Sequence, residues 1–251
     1  MEIEAHPEFD VPEDDDIIWR YMDFTKFIHM LDSKALYFNR IDQFKDTFEG
    51  TVSIYNKSNR EKMLYSRLQP HVAEHLAKVY AELDSTVNLA DRKQIFINCW
   101  HINEFESAAM WDLYNKNGEG IAIKSTYGNL KKCFIEENEA LIIGKVKYLD
   151  YNSEWMPEGN SFHKIFHKRK SFLHENELRI SYQDFSLKLH TDGSEESPVK
   201  GMYFKVDLNC LINQVYISPD SPKWVSDLIT SLSIKYGLSA EVVKSNLYEI
   251  N

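Results

Sequence analysis

QIFINCWHINEFESAAMWDLYNKNGEGIAIKS, residues 94–125, decides the reading of the fold. QIFINCWH has the β-branched and aromatic content of a strand, SAAMWDLYNK the spacing of a helix, Gly118 and Gly120 mark a turn, and GIAIKS is a second strand. Trp100, Met110, Trp111 and Tyr114 are expected as core or pocket wall, because aromatic residues at helical spacing usually pack. Asn98, Cys99 and His101 fall at the exit of the first strand. A thiolate nucleophile at Cys99 would need a base, and His101 would share its strand face; a buried, inert thiol is the favoured reading.

Working outward, IIWRYM is a short strand and DFTKFIHMLDS a helix started by Asp23 or Thr25. KALYFNRIDQFKD gives a strand around Leu36 to Phe38, then a polar, aromatic loop through Asp46, Phe48, Glu49 and Gly50. A helical insertion is expected over about 56–92, interrupted at Pro70, with Val72, Leu76, Val79 and Leu83 as its stripe. Downstream come strands in ALIIGKVKYLDY, a basic helical segment SFHKIFHKRKSFL, a strand in ENELRISYQDF and a loop HTDGSEESPVKG. Strands in MYFKVDL and QVYIS, a helix in SPKWVSDLITSLSIKYG capped near Ser221, and a strand in AEVVKS complete the pattern. Many short strands with intervening helices predict an α+β fold.

The net charge of -10 is unevenly placed, since eight acids and no Lys or Arg occupy residues 1–16. Residues 17–251 hold 31 acids against 29 bases, so dominant sequence-independent nucleic-acid binding is not expected of the body. The acidic leader is expected to be a solvated, mobile arm, and residues 17–251 a single domain. No apolar run approaches the roughly 18 residues needed to cross a bilayer, so a soluble, cytoplasmic protein without a membrane partner is expected. Three cysteines without a CxxC pair suggest neither a disulfide framework nor a cysteine-rich zinc site.

Four constellations carry possible chemistry. In HENELRI, Glu175, Glu177 and Arg179 would project from one strand face, as a solvated ion pair or as a paired-carboxylate site. Arg20 in WRY is a charge inside an apolar strand, either an ion-pair half or a guanidinium fork aimed at phosphate. His71, Glu74 and His75 match HxxEH, which would place two zinc ligands one helical turn apart; no third ligand is identifiable. The basic run His163, Lys164, His167, Lys168, Arg169 and Lys170 is expected as a solvated helix face, or as a phosphate or nucleic-acid contact beside the carboxylates.

Taken in order, WRYMDFTKFIHMLDSKALYFNRIDQFKDTFEG, INCWHINEFESAAMWDLYNKNGEGIAIKS, VKYLDY, KRKSFLHENELRI and INQVYISPDS resemble a bacterial family catalogued as domain of unknown function two-nine-seven-one. The block order is more distantly similar to the ADP-ribosyltransferase fold, whose split mixed and antiparallel sheets with flanking helices grip NAD in a central cleft. The resemblance implies that Arg20 holds NAD phosphate or ribose, with Tyr21, Asn98, Trp100 and Arg179 as further NAD-binding residues. It implies that Glu177 hydrogen-bonds the nicotinamide ribose and that Glu175 orients or deprotonates the acceptor. The chain has Asn98, Cys99 and Trp100 where the Arg-type enzymes usually show Ser, Thr, Ser.

The expected function is therefore NAD consumption, by ADP-ribosyl transfer to a protein or nucleic-acid acceptor or by hydrolysis of the nicotinamide–ribose bond. NAD enters as substrate and no metal is expected. A role in bacterial conflict or phage defence, with a neighbouring defence-system protein as partner, is implied by the same resemblance. The alternatives are a non-catalytic nucleotide- or nucleic-acid-binding module and, remotely, a zinc peptidase through His71 and His75.

Overall fold

Asp23 closes one strand and starts the first helix. Strand β1 (Ile17–Asp23) runs into α1 (Phe24–Ser33), where the Asp23 carboxylate accepts the Lys26 N–H at 2.8 Å, satisfying one of the orphan donors of the first turn. The computed structural model describes residues 3, 5–115, 118–135, 141–186 and 199–249, and the backbone alone for 85–90. Lys34, left-handed at φ 47°, ends α1 and turns the chain into β2 (Ala35–Arg40). A hairpin of α2 (Ile54–Arg67) and α3 (Pro70–Gln94) follows, with Pro70 in the first turn of α3, where its missing N–H is no loss. Then come β3 (Ile95–Ile102), α4 (Ala108–Tyr114), β4 (Gly120–Thr126), α5 (Tyr127–Lys132), β5 (Ile142–Lys145) and β6 (Lys147–Leu149). The rest is β7 (His167–Arg169), β8 (Glu177–Gln183), β9 (Gly201–Lys205), α6 (Leu208–Leu211), β10 (Gln214–Ile217), α7 (Lys223–Lys235) and β11 (Glu241–Lys244).

The result is a mixed α+β fold with a mostly antiparallel sheet. Nine strands among the described residues form it, in the order β11-β10-β4-β1-β3-β2-β9, with β8 on the other edge of β3 and β5 beyond it. Only β10 and β11 pair in parallel within that sheet, and β6 with β7 forms a separate parallel pair. β3 is the axis of a split. Its Phe96 and Ile97 pair with Arg40 and Asn39 of β2, whereas His101 and Ile102 pair with Trp19 and Ile18 of β1. Between those pairings β1 and β2 diverge, and a gap opens opposite Asn98 to Trp100.

One face of the sheet carries the large core. Ile18, Leu36, Phe96, Ile123, Leu178 and Val215 pack there beneath Phe27 and Leu31 of α1, Leu130 of α5 and Ile229 of α7. The other face carries two smaller clusters. Trp19, Tyr21 and Ala122 meet Met110 and Trp111 of α4, and Ile95 and Ile97 meet Phe9, Ile165 and Phe166. The space between those clusters, below the split, is where polar groups collect.

Several expectations are corrected. The leader is not a detached arm over its described residues: Phe9 is buried against Phe166 at 4.4 Å, and the Lys145 N–H donates to the Asp10 carbonyl at 2.7 Å. Exposed Glu8, Asp10 and Glu13 alternate there with covered Phe9, Val11 and Pro12, so the acids face water while the apolar residues dock. The basic segment is not a helix but a 3-10 turn, β7 and a second 3-10 turn. Nor is it a solvated face throughout, since Lys164 pairs with Asp91 and His167 and Lys168 are buried, while Lys170 stays exposed. Glu175 ends the second 3-10 turn instead of lying on the strand, because Asn176 is left-handed at φ 36° and breaks the extended run. Helix α7 starts next to Ser221 as expected, with Pro222 at the N-cap position and no side-chain cap; the Ser221 hydroxyl donates to the Gly118 carbonyl instead. The loop HTDGSEESPVKG falls mostly outside the described residues.

Candidate active site

Cross-strand register assembles the site. Cys99 lies opposite Arg179 and His101 opposite Glu177 across β3 and β8, so these four side chains share the face below the split. Arg179 is wholly buried and donates five hydrogen bonds: to both oxygens of Glu49, to both oxygens of Glu177 and to the Ile165 carbonyl. That exhausts its donors, and it lines neither chamber of the cleft described below. Arg179 holds the carboxylates in place from behind.

Lys168 of β7 ties the carboxylates together. Its Nζ lies 2.5 Å from Glu175, 2.7 Å from Glu177 and 3.0 Å from Glu49, which replaces the ammonium's lost hydration with three anionic acceptors. Burial opposes the charge on Lys168, but Glu177 and Glu49 raise its pKa above the ordinary lysine value. Burial also opposes ionisation of Glu177, yet Arg179 and Lys168 hold it well below the usual carboxylate range. Glu175 goes the other way. Burial, then its hydrogen bond and repulsion with Glu177, push it up to about 7 against the pull of Lys168. Two adjacent carboxyl groups are thus split into a permanent anion and a group that exchanges a proton near neutrality, the pattern that assigns acid and base roles.

This split has a pH signature. Below its ordinary value of 4.5 Glu175 is protonated in both folded and unfolded chains, and the native preference for the neutral form is fully present; it is lost as pH rises through about 7. Glu175→Gln cannot ionise, so its urea midpoint is expected to rise relative to the parent's between about pH 5 and pH 8. A constant difference across that range would show that Glu175 titrates normally.

The cleft consists of two adjoining chambers that share lining residues. An outer one of about 440 Å³ is lined by Arg20, Thr25, His29, Tyr37, Asn39 and Tyr203, among others. An inner one of about 140 Å³ is lined by Trp19, His101, Lys168, Glu175 and Glu177. Arg20, Tyr21, Phe44, Cys99 and Tyr114 border both. Arg20 spans the gap in the sheet, donating to the Cys99 carbonyl at 3.0 Å and the Tyr37 carbonyl at 3.4 Å, with its guanidinium 5.9 Å from the Trp100 ring centroid. No carboxylate lies within ion-pair distance of it among the described residues. Burial lowers its pKa, but a guanidinium remains protonated at neutral pH, leaving an uncompensated cation where the chambers meet.

The other sequence-predicted residues are placed as follows. Tyr21 borders both chambers, and its hydroxyl accepts the Ser107 N–H at 2.8 Å. Asn98 and Trp100 bond one another at 2.8 Å, and Asn98 Nδ2 donates to the Tyr37 carbonyl, bridging β3 to β2 across the split. Burial pushes the Cys99 thiol up, with Glu177 adding to the effect, so Cys99 is a poor nucleophile. His71 and His75 are exposed on α3, and Glu74 pairs with Lys78; no group of three metal-ligating side chains occurs among the described residues. Glu49 and Lys168 are members of the network that motif reading did not assign to it. Their signal was faint: Glu49 sits in the polar loop and Lys168 in the basic run.

No family model, curated protein or solved structure matches the chain. Among the described residues no helix is long and apolar enough to cross a membrane.

Proposed function

We propose that the cleft binds NAD and cleaves its nicotinamide–ribose bond, passing ADP-ribose to water or to a hydroxyl or amine acceptor. The carrying observation is the arrangement along the cleft: an unpaired Arg20 where the chambers meet, then Glu177 as fixed anion and Glu175 as proton acceptor. Arg20 would hold the pyrophosphate, with its fork matched to phosphate oxygens. The exposed Tyr37 and Tyr203 rings, 5.0 Å apart at the outer mouth, suit a planar base. As the C–N bond breaks, its electron pair leaves with nicotinamide and the ribose becomes cationic, which the Glu177 anion favours more in the transition state than before it. The acceptor's oxygen or nitrogen then bonds the ribose carbon and its proton passes to Glu175.

One observation favours the non-catalytic reading: Glu177 already accepts three hydrogen bonds from Lys168 and Arg179, leaving it little capacity for a ribose hydroxyl. Nicotinamide release from NAD separates the two. The parent is expected to release it, and Arg20→Ala to weaken NAD binding about tenfold to a hundredfold, as for loss of a charge-assisted hydrogen bond. Calorimetric binding of NAD without release would favour the binding module, and neither release nor binding would reject NAD.

A further inference from the structure

The proposed bond cleavage gives no role to His101, which borders the inner chamber. His101 is 5% exposed, and its ring lines that chamber with Glu175 and Glu177. Its Nδ1 lies 2.6 Å from the Glu175 backbone carbonyl. A carbonyl oxygen only accepts, so Nδ1 carries the hydrogen and Nε2 is left as an acceptor. Nε2 is buried and has no hydrogen-bond partner among the described residues, a costly arrangement for a group of no use. The ring is held by the Glu175 carbonyl on one side and an edge-on contact with Tyr21 at 6.2 Å, so the acceptor is preorganised.

We infer that His101 is a ligand-binding residue whose Nε2 accepts a hydrogen bond from a sugar hydroxyl in the inner chamber. The chemistry of the wall selects that class. Nε2 and Glu175 are acceptors that call for donors, as a polyol offers. Trp19, Tyr21, Trp100 and Tyr114 supply aromatic surface for a sugar's apolar C–H face. A phosphate or carboxylate brings no proton to Nε2 and is repelled by Glu177, so an anionic part of the same ligand belongs beside Arg20. The inference rests on the proposed function for naming that sugar as the ribose next to nicotinamide.

The test is nitrogen NMR of the histidine rings in the full chain, titrated with NAD, ADP-ribose, ribose phosphate and, as an anion without hydroxyls on carbon, pyrophosphate. The His101 Nε2 resonance is expected to move with the three sugars and not with pyrophosphate. In calorimetry, His101→Phe is expected to weaken ADP-ribose binding about tenfold, the loss of one hydrogen bond, and His101→Gln, which keeps an acceptor oxygen, to weaken it less. A resonance that stays still while ADP-ribose binds, equal affinity in all three proteins, or no sugar binding at all would overturn the inference. The parent titration stands even if the Phe variant fails to fold. Absence of nicotinamide release with a moving His101 resonance would instead reject only the proposed cleavage.

Discussion

Glu177→Gln is expected to lower nicotinamide release by about 10²- to 10³-fold while leaving the protein folded, the usual cost of removing one preorganised electrostatic group. The substitution keeps the side chain's shape and one acceptor oxygen but removes the charge that, in the proposed cleavage, would favour the cationic ribose. The fold should tolerate it, because both buried cations keep partners. Arg179 still faces Glu49, and Lys168 still faces Glu49 and Glu175. A second effect accompanies the first. Glu175 is raised partly by its hydrogen bond to Glu177 and by that carboxylate's charge, so its titration midpoint should fall below about 7 in the variant. Carbon NMR of the Glu175 carboxyl reads that shift without reference to activity. A rate within a few-fold of the parent would reject Glu177 as the transition-state anion.

Arg179→Met is expected to destabilise the protein by about 3–5 kcal/mol, because removing one partner of a buried ion pair strands the others. Here Glu49 and Glu177, both buried, would lose the four hydrogen bonds they accept from Arg179, keeping only what Lys168 supplies. The urea midpoint measures it. Adding Glu49→Leu to Arg179→Met removes one stranded charge, so the double variant should be more stable than the sum of the two single losses implies. Additive losses, or an unchanged midpoint in Arg179→Met, would mean the network is not desolvated as the structure has it.

The longer strands and helices and their order were legible before any tertiary contact, whereas the short α5 and α6 were not. Apolar alternation in IFINCWHI and GIAIKS, the Asp23 cap and Pro70 at a helix start are local signals, and local sterics and hydrogen bonding produce them. Arg20 drew attention for the same reason, as a charge within an apolar run. Two features were not legible locally. The basic run after residue 160 resembled a solvated helix, because nothing within it reveals that Asp91, Glu49, Glu175 and Glu177 converge on its lysines from three other segments. The leader looked free, because the Phe166 and Gly144 surface that receives Phe9 lies more than a hundred residues away.

The carboxylates show the division most clearly. Sequence alone determined that Glu175 and Glu177 lie two residues apart beside an arginine, and nothing more about their ionisation. Only the tertiary structure made one a fixed anion and the other a group titrating near neutrality. The reason is that a pKa answers to burial and to charges within a few ångströms, and those charges, on Lys168 and Arg179, are placed by the pairing of β8 with β3 and by the return of β7 beneath it.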